Sequence, residues 1–185
     1  MTDQESKYDL NGDGNKDLFN TGNLWLTDNG KFVESHNNLP DFMLSNLNAD
    51  GVDVGLFVHD HAVGDLNGDG FVDIFMPNTT PVSSQNNMYK FFMLNDGNGN
   101  FTNTSFEVGH SPYFATSTTI ADFDGDGYGD IALGWSDYAY IDLGGNSVGG
   151  IYWGNAETDY TKDYTALPPG YYEHNIAFDM QATDI

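Results

Sequence analysis

The sequence has no cysteine, few basic residues and no long apolar run, and each of these absences excludes a class of site or partner. With no cysteine among 185 residues, disulfides and thiolate metal sites are excluded, although the absence does not fix a compartment. Only 5 Lys and Arg stand against 28 Asp and Glu. We therefore expect no nucleic-acid partner, because phosphate binding needs basic patches. No run of about 18 apolar residues occurs, so no membrane insertion is expected, and the polar start lacks the apolar core of a signal peptide.

What the sequence has in excess is acid and glycine. A formal net charge of −23 at pH 7 would repel a compact state unless it is partly neutralised, and bound cations are one way to do so. The 22 glycines stand among turn-forming residues, which is typical of many short strands joined by tight turns. Hydrophobic residues make up 39% of the chain, enough for a core. We expect a single domain over residues 1–185.

A nine-residue, Asp-rich motif occurs three times. Loop one is residues 9–17 (DLNGDGNKD), loop two is residues 65–73 (DLNGDGFVD) and loop three is residues 122–130 (DFDGDGYGD). The loops start 56 and then 57 residues apart. This spacing predicts repeat units at 9–64, 65–121 and 122–178. A fourth copy starts in phase at Asp179 and covers residues 179–185, but it lacks the Gly-Asp-Gly centre, so three sites are expected.

Strand signals recur at the same places in each unit. Short strands are predicted before loops two and three, at Ala62-Val63-Gly64 and Ile120-Ala121. Apolar stretches follow the loops directly, at Leu18-Phe19, Ile74-Phe75-Met76 and Ile131-Ala132-Leu133. Farther along, Asn-Gly and Asp-Gly pairs between apolar runs predict hairpins. A period of 56–57 residues without an amphipathic helix fits four strands and their turns.

We therefore predict an all-β fold of β-propeller blades, each with four antiparallel strands and with about three blades present. A β-sandwich is the alternative, but sandwiches do not repeat in phase in this way. Three blades are fewer than the four to eight that close a propeller. Two interpretations stay open: the chain is part of a larger propeller, which we favour, or copies assemble head to tail, with the C-terminal strand completing the next copy's first blade.

The three loops are predicted to bind calcium. Ca²⁺ takes about 6–8 oxygen ligands, and side chains at loop positions 1, 3, 5 and 9 can converge with the backbone carbonyl of position 7. Magnesium prefers fewer protein ligands, and transition metals prefer His or Cys. An EF-hand is excluded. Its loop ends with Glu at position 12 and is flanked by helices, whereas position 12 of these loops is Asn20, Met76 or Leu133 and no helix is predicted beside them. The predicted ligands are Asp9, Asn11, Asp13, Asn15 and Asp17; Asp65, Asn67, Asp69, Phe71 and Asp73; and Asp122, Asp124, Asp126, Tyr128 and Asp130.

The repeats resemble the FG-GAP/VCBS family, whose best-known members are the integrin α-chain β-propellers. The resemblance rests on Val63-Gly64-Asp65, on the loop itself, on Asp73-Ile74-Phe75, and on Asn95-Asp96-Gly97 followed by Phe101. It covers residues 9 to about 180. It implies propeller architecture and a calcium ion that rigidifies each blade, but it implies no single activity.

No catalytic motif is present, so the sequence favours a non-catalytic module without deciding the question. His59 and His61 precede loop two and are interpreted as structural, with substrate contact as the alternative. Exposed aromatic residues could stack on sugars or fill space between blades: Trp135, Tyr138, Tyr140, Tyr171 and Tyr172.

The leading hypothesis is a calcium-binding, lectin-like recognition or adhesion module. We expect it outside cells, on a cell or virion surface, with a protein or glycan ligand on a cell or in the matrix. One alternative is the propeller domain of a secreted polysaccharide-degrading enzyme. Another is a structural subunit that self-associates by strand exchange or packs against missing blades of the same protein.

Overall fold

The computed structural model describes residues 8–20, 22–40, 58–77, 90–104, 115–135, 149–167 and 182. These residues contain one short 3₁₀ helix, His36–Asn38, and no helix in them is long and apolar enough to span a membrane. Their strands are β1 (Leu18–Asn20), β2 (Asn23–Asp28), β3 (Lys31–Glu34), β4 (Ala62–Gly64), β5 (Asp73–Pro77), β6 (Lys90–Asn95), β7 (Phe101–Thr104), β8 (Ala115–Ala121), β9 (Asp130–Trp135), β10 (Gly149–Tyr152) and β11 (Tyr164–Ala166).

The strands form three antiparallel sheets. The first has the order β1-β2-β3, the second β4-β5-β6-β7 and the third β8-β9-β10-β11. The all-β prediction and the four-stranded antiparallel blade are thus confirmed for the second and third sheets. The first sheet has three strands in the described part of the chain, and it lacks there the strand that precedes the loop in the other two.

Local sequence explains the strands and turns. All five residues of β5 are buried, as expected for a strand that is apolar after Asp73 and lies between two packed layers. In the first sheet Asp28 pairs with Lys31 across a two-residue turn. That turn needs two residues with positive φ, which Asn29 (50°) and Gly30 (75°) supply. The hairpin predicted from Asn-Gly is therefore present.

The first strand of the second and third sheets precedes the loop in the sequence. Strand β4 lies before loop two yet pairs with β5 after it, with Val63 opposite Ile74. Strand β8 lies before loop three and pairs with β9 in the same way, with Ile120 opposite Ile131. Each of these two loops therefore connects the first and second strands of one sheet. Loops two and three therefore lie at the ends of the first two strands of their sheets.

The hydrophobic core lies between successive sheets. One cluster joins Leu10, Phe19 and Leu24 of the first sheet and its loop to side chains of the second: Ile74, Met76, Met93 and Phe101. The other joins loop two and the second sheet to the third through Leu66, Phe75, Phe92, Ala115, Ile131, Leu133, Tyr152 and Tyr160. Neighbouring residues of β5 thus face opposite layers. Successive blades are packed against each other along the chain.

The second and third sheets approach most closely at their first strands. A Cβ on Gly64 of β4 would lie 2.4 Å from a side-chain carbon of Ile120 in β8, so only glycine fits at this position. Trp135 ends β9. Outside the described residues lie the predicted fourth copy at Asp179 and four of the aromatic residues considered above, Tyr138, Tyr140, Tyr171 and Tyr172.

Candidate metal sites

The two glycines of each loop have the backbone conformation that the sequence predicts. Their φ angles lie between 73° and 94°, in the left-handed region that side chains with a Cβ rarely adopt. The residues concerned are Gly12 and Gly14, Gly68 and Gly70, and Gly125 and Gly127. These turns bend the backbone around the carboxylate of position 1.

The position-1 carboxylate organises each loop through backbone N–H donors. In loop three, Asp122 Oδ1 accepts hydrogen bonds from the N–H of Gly125 (2.6 Å) and Asp126 (3.1 Å), and Oδ2 accepts one from Gly127 (3.0 Å). Asp65 accepts the same three bonds in loop two, at 2.8, 3.1 and 2.8 Å. In loop one Asp9 accepts from positions 5 and 6. The three loops therefore share one internal scaffold.

Positions 3, 5 and 7 are linked in series. The position-3 side-chain oxygen accepts the N–H of position 5 at 3.0–3.1 Å in all three loops. The position-5 carboxylate then accepts the N–H of position 7, which is Asn15 (2.7 Å), Phe71 (2.9 Å) or Tyr128 (2.9 Å). These bonds hold the predicted carbonyl ligand residues on the loop.

The position-9 aspartates are buried and tie each loop to the following hairpin. Asp73 accepts the N–H of Leu66 within its loop and of Asn95 in β6, both at 2.9 Å. Asp17 accepts from Leu10 and Thr27, and Asp130 accepts from Phe123 and Gly154. Removing such a side chain would leave two backbone donors unpaired.

Burial disfavours the ionised form of the position-9 aspartates. Burial raises the pKa of Asp73 to about 6, against the effect of its two backbone donors, and the neighbouring acids of the loop raise it further. Burial raises the pKa of Asp17 and of Asp130 in the same direction. Loops two and three contain no Lys or Arg, and loop one contains only Lys16. A bound cation would supply the missing positive charge.

Loop three brings three of its four predicted carboxylates together. Oxygen atoms of Asp122, Asp124 and Asp130 lie within 4.8 Å of one another. Ligand atoms at about 2.4 Å from a calcium ion are up to about 4.8 Å apart, so these three oxygens fit one ion. Asp126 lies outside this group, with its Oδ1 bonded to the N–H of Tyr128.

Loops one and two differ from loop three at position 3, where Asn replaces Asp. The amide of Asn67 donates to Asp69 Oδ2 at 2.9 Å, and that of Asn11 donates to Asp13 Oδ2 at 3.3 Å. The amide oxygen of Asn67 accepts the N–H of position 5, as the carboxylate of Asp124 does in loop three. The fold of the loop is thus kept with one negative charge fewer.

Two side chains, Asn95 and Tyr160, connect the loops across the sheets, a role that the sequence did not predict for either. The amide of Asn95 donates to the carbonyls of Leu10 (2.8 Å) and Val72 (3.0 Å). The hydroxyl of Tyr160 lies 2.8 Å from the carbonyl of Gly129 and 3.4 Å from that of Leu66. Each therefore bridges position 8 of its own loop to position 2 of the loop before. Their residue types and their offsets of 23 and 31 residues differ, so the repeat pattern gave no signal for them.

Of the two histidines before loop two, His61 has the environment of a structural residue. His61 is buried and packs edge-on against the ring of Phe19, with centroids 5.2 Å apart. Burial lowers its pKa to about 4, so it is neutral at pH 7. The adjacent Asp60 accepts the N–H of Thr118 in β8 at 2.8 Å. His59 is exposed.

Comparison with known families agrees with this architecture. Residues 65–133 match the family model described as an FG-GAP-like repeat, which spans loop two, strands β5 to β8, loop three and the start of β9. Residues 65–133 therefore match an FG-GAP-like repeat, and the resemblance found in the sequence is confirmed over this range. Loop one lies outside the matched range but has the same internal hydrogen bonds. No curated protein matches the chain.

Proposed function

We propose that this protein is an extracellular recognition or adhesion module whose blades are rigidified by calcium, one ion in each loop. The observation that carries this proposal is the group formed by Asp122, Asp124 and Asp130, in which a buried carboxylate lies beside two exposed ones. The FG-GAP-like repeat supports a propeller of the adhesion type. No catalytic role is assigned to any residue.

In loop three, the ion would be held by the side chains of positions 1, 3, 5 and 9 and by the carbonyl of Tyr128. The corresponding residues would serve in loops one and two. The ion supplies positive charge beside the buried position-9 acid, which favours its ionised form. Since that acid also binds the following hairpin, calcium binding stabilises the blade as well as the loop.

The donor set favours calcium over other metals. All the proposed ligands are oxygens of carboxylates, amides and carbonyls, which a hard cation prefers. Magnesium usually retains several waters and uses few protein ligands, whereas each loop offers five. Extracellular modules bind calcium with dissociation constants of about 10⁻⁴–10⁻³ M, which suits the calcium level outside cells.

Binding to arrays of glycans and matrix proteins tests the recognition role. We expect retention on a defined glycan or protein class in calcium, and its loss in EDTA, because a ligand surface built on the blades needs rigid loops. The matched control is the Asp124→Ala variant, which should bind less in the same calcium buffer. Turnover of an arrayed polysaccharide would instead favour a hydrolytic propeller. Equal retention with and without calcium would contradict the proposal.

A further inference from the structure

In the described part of the chain, the third sheet has partly exposed apolar side chains on the face that the other two sheets bury, while Ala132 of β9 on the same face is 3% exposed. Position 2 of loops one and two is 1% exposed at Leu10 and 0% exposed at Leu66, because each lies under the sheet that follows. The equivalent residue of loop three, Phe123, is 41% exposed. On β10, Ile151 is partly exposed, whereas its equivalents Leu24 and Phe92 are fully buried. We call this surface, formed by Phe123 and Ile151, the forward face.

Within the described residues, the first sheet has exposed apolar side chains on the complementary face. In the second sheet, Ile74, Met93 and Phe101 pack against Leu10 of the loop before. Their equivalents in the first sheet, fixed by the strand register, are Leu18, Trp25 and Phe32. Phe101 is 5% exposed and Phe32 is 61% exposed, while Leu18 and Trp25 are half-buried. We call this surface, formed by Leu18, Trp25 and Phe32, the receiving face.

The hairpin turns of the first and second sheets differ in the same way in their contacts with a preceding blade. A Cβ on Gly99, in the turn of the second sheet, would lie 3.1 Å from Leu26 and 3.3 Å from Asn11 of the preceding blade. A Cβ on Gly30, in the turn of the first sheet, would meet nothing within 4 Å. The amide of Asn38 also donates to the carbonyl of Gly99 at 3.1 Å. Among the residues that the structure describes, the turn of the first sheet thus lacks the contacts that the turn of the second sheet makes with the blade before it.

We infer that the forward face of one copy packs on the receiving face of a second copy of this chain. The partner is chosen by continuity: the chain already forms this contact twice, between its first and second sheets and between its second and third. A second copy presents the same types of residue at equivalent positions. The contact is heterologous, joining unlike faces head to tail. Two copies of three sheets make six, within the range of four to eight blades that closed propellers contain.

Charge sets the conditions for this contact. Two copies with a formal net charge of −23 each repel one another, whereas the two faces are apolar. Calcium and physiological salt both weaken this repulsion, and screening acts beyond about 8 Å at 0.15 M. Self-association should therefore be measured in calcium at that ionic strength.

Sedimentation velocity of the full chain over a range of concentrations tests the inference. We expect a concentration-dependent dimer or larger oligomer. Phe123→Asp and Phe32→Asp should each weaken it by about tenfold or more, as expected for a buried aromatic residue at the centre of an interface. Val33→Asp is the control, because Val33 is 47% exposed on the same strand as Phe32 and points to its other face.

Mixing the two variants gives the sharper result. Phe123→Asp keeps an intact receiving face and Phe32→Asp keeps an intact forward face, so an equimolar mixture should form a one-to-one heterodimer. A symmetric interface would not be restored by mixing. A monomeric wild-type chain, an oligomer that neither variant weakens, or a mixture that stays monomeric would each overturn the inference.

Failure here is distinguishable from failure of the proposed calcium binding. Phe32 lies outside the loops, so calcium titration of Phe32→Asp should match the wild-type chain. Phe123→Asp adds a carboxylate between two proposed ligands of loop three, so for this variant the number of bound ions, and not the affinity, is compared with the wild-type chain. Their circular dichroism spectra in calcium should match that of the wild-type chain, which shows that the blades are folded; unfolding temperatures are compared only at concentrations where the wild-type chain is monomeric. Normal calcium binding without association would contradict only the head-to-tail contact.

Discussion

Loops two and three have the same scaffold and different charge. In both, the position-1 carboxylate accepts three backbone N–H groups and the buried position-9 carboxylate binds the next hairpin. They differ at position 3, where Asn67 in one corresponds to Asp124 in the other, and only loop three gathers three carboxylates within 4.8 Å. The comparison teaches that the residues that shape the loop are separable from the residue that sets its charge.

Removing a scaffold residue should have the largest effect. Asp73→Ala leaves the N–H groups of Leu66 and Asn95 unpaired in a buried region, so we expect a loss of about 4 kcal/mol of unfolding free energy in calcium. Asp69→Ala removes a proposed ligand at an exposed position of the same loop but leaves both buried donors paired, so it should cost about half as much or less. Urea denaturation measures both, and equal losses would refute the scaffold role of position 9.

One contribution to the pH dependence of unfolding should be specific to the loop-two side, where His61 stands in place of Thr118. Its folded pKa of about 4 lies below the ordinary value of 6.5, so the unfolded chain takes up a proton first. Its contribution is therefore complete above pH 6.5 and is lost as pH falls towards 4. The loss is on the order of 3 kcal/mol.

Comparing the wild-type chain with His61→Phe in urea at fixed calcium isolates this effect from the titration of the acids. The difference in unfolding free energy between the two proteins should change by about 3 kcal/mol between pH 7 and pH 4. A constant difference across that range would show that His61 is not buried in its neutral form.

Exchanging the residue types at position 3 of loops two and three should change their calcium affinities in opposite directions. Loop three has four carboxylates among its proposed ligands and loop two has three, so we expect loop three to bind calcium more tightly. Asn67→Asp should strengthen binding at loop two by about tenfold, and Asp124→Asn should weaken loop three by a similar factor.

Isothermal titration of the two exchange variants, with Asp65→Ala and Asp122→Ala used to silence one loop at a time, resolves the individual sites. In EDTA, Asn67→Asp should be slightly less stable than the wild-type chain, because the carboxylate keeps the bond to the backbone N–H of Asp69 but loses the amide bond to the Asp69 side chain and adds a like charge. Unchanged affinities would mean that charge at position 3 does not set the strength of the site.

The smallest effect should come from the bridges between loops. Tyr160→Phe removes one hydroxyl that donates to the carbonyl of Gly129, at an expected cost of about 1 kcal/mol. Asn95→Ala should cost more, because its amide bonds to two carbonyls and its oxygen accepts the N–H of Gly97 and Gly99. A Tyr160→Phe chain as destabilised as Asn95→Ala would contradict this ranking.

The local features of this fold could be predicted from sequence because they depend on residues close together in the chain. The positive φ of Gly68 and Gly70, strand β5 and the Asn29-Gly30 turn all follow from local patterns. The offset between sheets and repeat units could not be predicted so directly, since it depends on β4 pairing across a loop.

The connections between blades were the least predictable part. Asn95 and Tyr160 serve the same bridging purpose with different chemistry and at different distances from their loops. Phe123 follows the apolar pattern of Leu10 and Leu66, and only the packing of the sheets shows that it is exposed. Contacts of this kind depend on the assembled layers, and a single sequence does not contain a short-range signal for them.

Calcium titration of the wild-type chain, followed by calorimetry and by thermal unfolding, tests the central claim most directly. The account predicts three bound Ca²⁺ ions per chain, a higher unfolding temperature in calcium than in EDTA, and a much smaller effect of magnesium at the same concentration. No heat of binding and an unfolding temperature that is the same in calcium and EDTA would contradict it.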